Sequence, residues 1–409
     1  MMRALRVLDF IIYWSIIIMP FAVAISPAIA NIFIVLFSAA FLIAQLQKKE
    51  VVSIDRTILL SFACLIIISL FSFINSVSFN ASIQGMVKLL KYLLIFLVCS
   101  QAVKDKKHVQ RIVFSVCCSV SLLGLDALWQ FFFGYDFIHR IALHHNIGLP
   151  RASASFPNPN LLGIYMSAFI PLIAGLTIIY FKGKNKVGMF FLTILALSGI
   201  FLTFSRGAGL AVYLAILILC IAGKKKLLVA SLIAILLIFP FVMPKDIKKW
   251  AKEVNYNPVV FMLNQDRISI YRNTVNMVRQ HPFVGVGVNT FSKNYGKYKT
   301  ASAEKYASTP DTIYSHNIYL QMAGEIGLLG LMAFVWFLFL IFKNAAHSYF
   351  NLKDEYLKVV ALSLIVCLIA FLINGLTETS LYNARVAMVF WYLIGISLSL
   401  SRLVAKPPA

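Results

Sequence analysis

The chain has 409 residues, of which 60% are hydrophobic and 14% aromatic, and a mean hydropathy of +0.85; this excludes a soluble globular protein and indicates an integral membrane protein. A formal net charge of +22 would suggest a nucleic-acid binder in a soluble chain. Here the basic residues stand in short clusters between apolar spans, so the charge is a topology signal and nucleic acid is not an expected partner.

The length criterion predicts about twelve membrane helices, at 9–26, 28–46, 57–76, 88–103, 109–133, 159–181, 187–204, 207–222, 226–243, 315–343, 356–374 and 384–402. The expected fold class is therefore an all-α polytopic membrane protein with a helical insertion. The start, Met-Met-Arg-Ala-Leu-Arg before an apolar run with small residues near Ala28-Ile-Ala30, imitates a signal peptide. A second span follows at once, so the run reads as an uncleaved first membrane helix. Cys64, Cys99, Cys117, Cys118, Cys220 and Cys367 fall inside apolar runs without CxxC spacing. They read as buried thiols, with neither a disulfide framework nor a zinc site indicated.

The clusters Arg3/Arg6, Lys48/Lys49/Arg56, Lys104/Lys106/Lys107/Arg111, Lys182/Lys184/Lys186, Lys224/Lys225/Lys226, Lys343/Lys353/Lys358 and Arg402/Lys406 occupy every second gap. Counted as cytoplasmic, they put both termini inside. The gaps 77–87, 134–158, Ser205-Arg206-Gly207, 244–314 and 375–385 then face outward. The expected organisation is membrane helices 1–9 in 1–243, an outer loop domain in 244–314, and helices 10–12 with a cytoplasmic tail in 315–409. The polar sequence of any complexity lies on the outer face, and the chemistry is expected there.

The segment 244–314 is too long for a plain connection and should carry its own structure. Lys245-Asp-Ile-Lys-Lys-Trp-Ala-Lys-Glu253 reads as an interfacial helix with Trp250 at headgroup depth. Asp266 can cap a following helix with Ile268, Tyr271, Val275 and Val278 as its apolar face, leaving Arg267, Arg272 and Arg279 on or near the polar side. Gly285-Val-Gly287 lacks a following Gly-Lys-Ser/Thr and a βαβ context, so it reads as a turn that reverses the chain. Residues 292–310 read as a lid-like stretch.

The segment ends in Asp311-Thr-Ile-Tyr-Ser-His-Asn-Ile-Tyr-Leu-Gln-Met-Ala-Gly-Glu325, where polar chain gives way to a span. Asn317, Gln321 and Glu325 recur every four residues and form one polar stripe. A Glu and a His near the start of a span mark a site by default, because an ionisable group at mid-membrane costs at least ~2.5–3.5 kcal/mol. The plainer reading is a hydrogen-bonded helix seam, with Gly324, Gly327 and Gly330 allowing close packing. We take that reading for the glycines and the functional one for His316, whose imidazole can accept a hydroxyl proton near neutral pH. His139, His144, His145 and His281 lie in loops without such a setting.

Arg206 stands at an outward turn where the positive-inside bias would not put it, so it either invites an anion or snorkels to lipid phosphate. Arg267 and Arg272 share that face, and Arg151 precedes the Pro/Asn-rich approach to a span that ends in Asn160. Converging arginines suit a diphosphate, since the guanidinium fork binds phosphate oxygens in pairs and keeps its charge. For each one alone, a solvated face is the competing explanation. No HExxH, paired carboxylate or EF-hand spacing appears, so neither a metal nor a cofactor is expected.

Phe156-Pro-Asn-Pro-Asn160, Thr203-Phe-Ser-Arg206-Gly-Ala208, Asp266-Arg267-Ile-Ser-Ile-Tyr271, Pro282-Phe-Val-Gly-Val-Gly-Val-Asn-Thr-Phe291, and Ser315-His316-Asn317 followed by Glu325-Ile-Gly-Leu-Leu-Gly330 together resemble the O-antigen ligase and polymerase superfamily. The likeness runs from about 120 to 390 and is strongest between 200 and 330. It implies a metal-independent glycosyltransferase of the membrane-embedded C type in the bacterial inner membrane, with a periplasmic active site. The donor it implies is an undecaprenyl-pyrophosphate-linked glycan. The acceptor is a lipid A core sugar hydroxyl in the ligase branch, which we favour, or a growing glycan in the polymerase branch.

By the same resemblance, Arg206 and Arg267 match the arginines that hold the donor pyrophosphate, and His316 matches the histidine that activates the acceptor. Arg151, Arg272, Asn160, Asn317, Gln321 and Glu325 are the further substrate-binding candidates. A protein O-oligosaccharyltransferase ranks lower, because such chains tend to carry a larger C-terminal part. An anion transporter would need midplane charges and internal repeats. The first hundred residues show no buried charge beyond Asp9 and no repeat, which disfavours it.

Overall fold

The computed structural model describes residues 2–48, 54–146, 149–242, 245–253, 255, 257–300 and 313–404. The leading helices are α1 (Met2–Ile25), α2 (Pro27–Lys48), α3 (Arg56–Phe71), α4 (Phe79–Ala102), α5 (Lys106–Phe133), α6 (Pro159–Gly175) and α7 (Gly183–Thr203). Two shorter apolar helices follow, α8 (Arg206–Ala222) and α9 (Lys226–Val242). Then come α10 (Lys245–Glu253), α11 (Pro258–Gln280) and α12 (Phe291–Asn294), and last α13 (Ile318–Asn351), α14 (Glu355–Asn374) and α15 (Ala384–Val404).

Among the described residues, ten helices are long and apolar enough to cross a membrane. With α8 and α9 they account for the twelve expected spans, and the chain is an all-α polytopic membrane protein. A helix satisfies its backbone groups internally, which an apolar phase requires. The ends are set by polar caps: the side chains of Asp55, Asp105, Asn158, Asn317 and Asp354 each accept a first-turn N–H. Gly134, at φ 84°, closes α5.

The bundle is built around α6 and α15, whose apolar windows are 89% and 83% buried, against 33% for α3 and α7. α6 packs on α14, α7 and α8, and α15 on α4, α13 and α14. The peripheral helices leave Phe132, Phe201, Leu227 and Phe241 exposed, the outward apolar surface that lipid tails accept. Phe62, Phe96, Phe337 and Trp391 lock α3, α4, α13 and α15 through ring contacts of 5.4–6.1 Å. Arg385, unnoticed in the sequence, is buried where α1 ends and α6 and α15 begin. Its Nε donates to Val23 O at 2.7 Å and its Nη1 to Ser155 O at 2.8 Å, over the Phe156 ring.

Several expectations are corrected. α4 begins at Phe79, nine residues before the predicted 88, because Phe79, Ile83, Met86 and Val87 extend the apolar run past Asn80 and Gln84. Lys88 and Lys91 therefore lie inside the helix, roughly 14 and 18 Å along its axis, and the first hundred residues do carry charge within a span. α13 runs to Asn351, eight residues past its predicted end.

Asp266 does not cap a helix. α11 is capped by Asn257 and broken at Asn264, at φ 60°, whose Oδ1 accepts the N–H of Arg267. The buried face of α11 is Ser269, Ile270, Asn273, Thr274 and Met277, not the expected Val275 side. α10 forms over the expected residues; the side chain of Trp250, and residues 301–310 of the lid-like stretch, lie outside what the structure describes. The cysteines are free, with Cys64 and Cys118 only partly buried.

Candidate active site

The helices alternate in direction, so one end of the bundle gathers the α7–α8 turn, the start of α6, the start of α13 and the 375–383 connection, while Asp9 of α1 and Arg402 of α15 meet the end of α4 and its connection to α5 at the opposite end. Next to the candidate residues of the α7–α8 turn, α11 and α13, left-handed backbone occurs at Phe204 (φ 48°), Asn264 (φ 60°) and His316 (φ 51°). Each precedes or is a candidate site residue. Such backbone costs ~1–3 kcal/mol and persists only where neighbours over-determine it. His316 is held by Tyr271 Oη, which donates to its carbonyl at 3.0 Å, and by Asn317 beside it, whose Oδ1 caps α13 and whose Nδ2 donates to Leu376 O.

A short hairpin, β1 (His144–Asn146) with β2 (Leu149–Arg151), pairs His144 with Arg151. The next residue, Ala152, donates its N–H to Leu202 O at 2.8 Å, which brings Arg151 to the end of α7. Arg151 Nε then donates to Thr203 O at 2.8 Å and its Nη2 to Asn160 Oδ1 at 2.7 Å.

These side chains meet at Glu378, in the 375–383 connection and only 9% exposed. Its Oε1 accepts from Asn160 Nδ2 at 2.8 Å and from Arg267 Nη2, and its Oε2 faces His316 Nδ1 at 3.3 Å. Arg267 Nη1 donates to Thr377 O at 2.7 Å. Arg206, half-buried at the first turn of α8, lies where the charges of Arg267, Arg151 and Glu378 act on it. The following Gly207 packs so closely on Thr377 that a Cβ there would meet its Oγ1 at 2.1 Å.

Cations thus outnumber the carboxylate three to one: Arg151, Arg206 and Arg267 against Glu378. Burial alone would raise the Glu378 carboxyl, but the His316 hydrogen bond and the Arg267 charge outweigh it and hold the group below its ordinary value. An anionic Glu378 can only accept, so His316 carries its hydrogen on Nδ1 when neutral and leaves Nε2 as its basic nitrogen. Burial pushes Tyr271 up to about 12 and keeps it a donor. Burial and the neighbouring Arg267 lower Arg151, with Glu378 opposing. A cavity of about 390 Å³ opens beside the cluster, walled by Arg151, Asn160, Tyr314, His316, Glu378 and Tyr382 among others.

Of the candidates from the sequence, Arg151, Asn160, Arg206, Arg267 and His316 come together. Arg272 does not: it is exposed, about 140° around α11 from Arg267. The stripe on α13 has structural partners. Gln321 Oε1 accepts the N–H of Ser315 and its Nε2 donates to Glu325. Glu325, fully buried, accepts the N–H of Asn289 at 2.6 Å and of Phe291 at 3.3 Å.

α13 is interrupted at Gly327 (φ 73°), and the turn at Pro282–Asn289 docks into the break. Leu328 N–H donates to Pro282 O, Val286 N–H to Gly324 O and Gly287 N–H to Glu325 O, at 2.7–2.9 Å. Gly324 and Gly327 thus allow the close packing expected of them, and what they admit is Met277 of α11 with Phe283 and Phe291 of the segment that follows it. This dock ties the end of α11 to α13, and so holds Arg267 and His316 on one frame.

Glu378 was missed. The available signal was an acid in a short polar gap already assigned to the site face, between Thr377 and Thr379; nothing local distinguished it from a solvated loop residue.

Residues 191–335 match the family model described as O-antigen ligase. The match supports the O-antigen ligase superfamily and does not distinguish the lipid A core branch. It includes Arg206, Arg267 and His316, while Arg151, Asn160 and Glu378 lie outside it. No curated protein matches the chain.

Proposed function

We propose that this chain, with its O-antigen ligase-type segment, transfers a glycan from undecaprenyl pyrophosphate to a lipid A core sugar hydroxyl on the periplasmic face of the inner membrane. The observation that carries the reading is the convergence of Arg151, Arg206, Arg267 and His316 around one buried carboxylate beside a cavity at the bundle end remote from Asp9 and Arg402. The basic clusters favour the opposite end as cytoplasmic. A group of side chains at helix ends, not at mid-bundle, fits transfer better than transport.

In the reaction, the acceptor O–H gives its proton to His316 Nε2 as the oxygen attacks the anomeric carbon. The bond from that carbon to the pyrophosphate oxygen breaks, its electron pair leaves with the lipid pyrophosphate, and direct attack inverts the centre. Arg206 and Arg267 compensate the charge that develops on the leaving group, as a divalent cation would in other transferases. Glu378 holds the His316 ring in its working tautomer and offsets the mutual repulsion of the arginines when no donor is bound.

The test is purified protein with an undecaprenyl-pyrophosphate glycan, with and without lipid A core, in chelator, beside His316→Ala and Arg206→Ala. Glycan appearing on lipid A core, and lost in both variants, is the expected result. Longer glycan still on the undecaprenyl carrier would make the chain a polymerase. Transfer to neither acceptor would overturn the reading.

A further inference from the structure

A second polar site lies away from the arginine cluster. α3 packs along α13 and α4 along α15, while α3 and α4 touch each other little, so these two helices form the lips of a lateral cleft. Ile67 and Leu70 on α3 and Val87 and Leu90 on α4 are exposed outside it. Behind the lips is a cavity of about 90 Å³, where Leu65, Phe334 and the stacked rings of Tyr92 and Trp391 meet Lys88, Asn289 and Glu325.

Lys88 is the unexplained group. A lysine within an apolar span is costly and marks a site by default. Its Nζ donates to Asn289 Oδ1 at 3.1 Å, and among the described residues no carboxylate lies within ion-pair distance of it. Glu325 on the same wall is engaged by Asn289 N–H, Phe291 N–H and Gln321 Nε2. An ammonium has three hydrogens, so two remain for another acceptor. An ammonium on an apolar, aromatic wall behind a membrane-facing cleft complements an amphiphile with an anionic head, and lysine binds phosphate as a point charge.

We propose that this cleft is the acceptor subsite and takes a phosphate of a phosphorylated glycolipid that enters sideways from the bilayer. The proposal rests on the glycan-transfer reading, which requires a second lipid-borne substrate beside the donor. Tyr382 lines both this cavity and the arginine cavity, so an acceptor anchored at Lys88 has its sugar next to His316 and Glu378.

The full chain in phosphatidylcholine vesicles, assayed with acceptor and donor each varied, tests this in Lys88→Gln and Lys88→Arg. Lys88→Gln should raise the acceptor KM about tenfold or more, the loss of one charge-assisted contact, and leave the donor KM unchanged. Lys88→Arg should recover most of it, and Lys88→Met, which an apolar span tolerates, should repeat the defect if the Gln variant does not fold. An unchanged acceptor KM, or an equal rise in the donor KM, would overturn the proposal.

Retention of lipid A without donor, followed by native mass spectrometry beside phosphatidylglycerol and undecaprenyl phosphate, separates this from failure of the transfer reading. Selective loss of lipid A in Lys88→Gln supports the site even if no glycan moves. Retention unchanged by Lys88→Gln, or equal for phosphatidylglycerol, overturns it.

Discussion

Glu378→Gln separates catalysis from packing. The carboxylate receives two donors on Oε1, from Asn160 and Arg267, and one on Oε2, from His316. A glutamine keeps its oxygen where two donors converge and so presents its NH₂ to His316. The Nδ1 atom must then accept, the ring hydrogen moves to Nε2, and the nitrogen that should take the acceptor proton is blocked. General-base catalysis contributes about 10²–10⁴-fold, so kcat should fall by that order. The donor KM should hold or drop, because a negative charge beside the pyrophosphate site is gone. Glu378→Ala leaves all three donors without their acceptor; breaking a buried ion pair from one side costs ~3–5 kcal/mol, so that variant should also melt earlier. Transfer rates, donor titration and thermal melting of the purified variants check this. Wild-type kcat in a folded Glu378→Gln protein would refute the role given to the carboxylate.

Arg267→Lys keeps the charge but cannot reach Thr377 O and Glu378 together, as Nη1 and Nη2 do. The donor KM should rise about tenfold, and an unchanged value in donor titration would argue against a two-pronged arginine. Gly327→Ala puts a Cβ 2.0 Å from Phe283 O at a φ of 73°; it should lower stability by at least ~1–3 kcal/mol in thermal unfolding, whereas Gly209→Ala, with nothing within 4 Å, should not. The Glu378 carboxyl sits below its ordinary value of 4.5 when folded, so its contribution is present above that pH and lost as pH falls through the folded value. The melting difference between wild type and Glu378→Gln should therefore be constant near neutral pH and shrink in acid below about 4.5.

Apolar run length, a local thermodynamic property, specified the helices: ten of the twelve predicted spans correspond to helices that start within four residues of expectation, the first and fourth starting seven and nine residues early. Alternation of basic gaps likewise grouped Arg151, Arg206, Arg267 and His316 on one face before any contact was known. The failures came where partners are distant in the chain. Glu378 reaches Asn160 across 218 residues and Arg267 across 111, and its own surroundings in the chain resemble any polar loop. Gln321 and Glu325 were legible as a stripe, but whether the stripe faced substrate or backbone depended on where the turn at Gly285–Asn289 docks. Lys88 stood at the edge of the predicted span; the start of α4 at Phe79 puts it inside the helix, three residues after the Gly85 on which the Val288–Asn289 turn closes. Solvation of a run of side chains is decided residue by residue; the identity of a buried group's hydrogen-bond partners is decided only when the helices close around it.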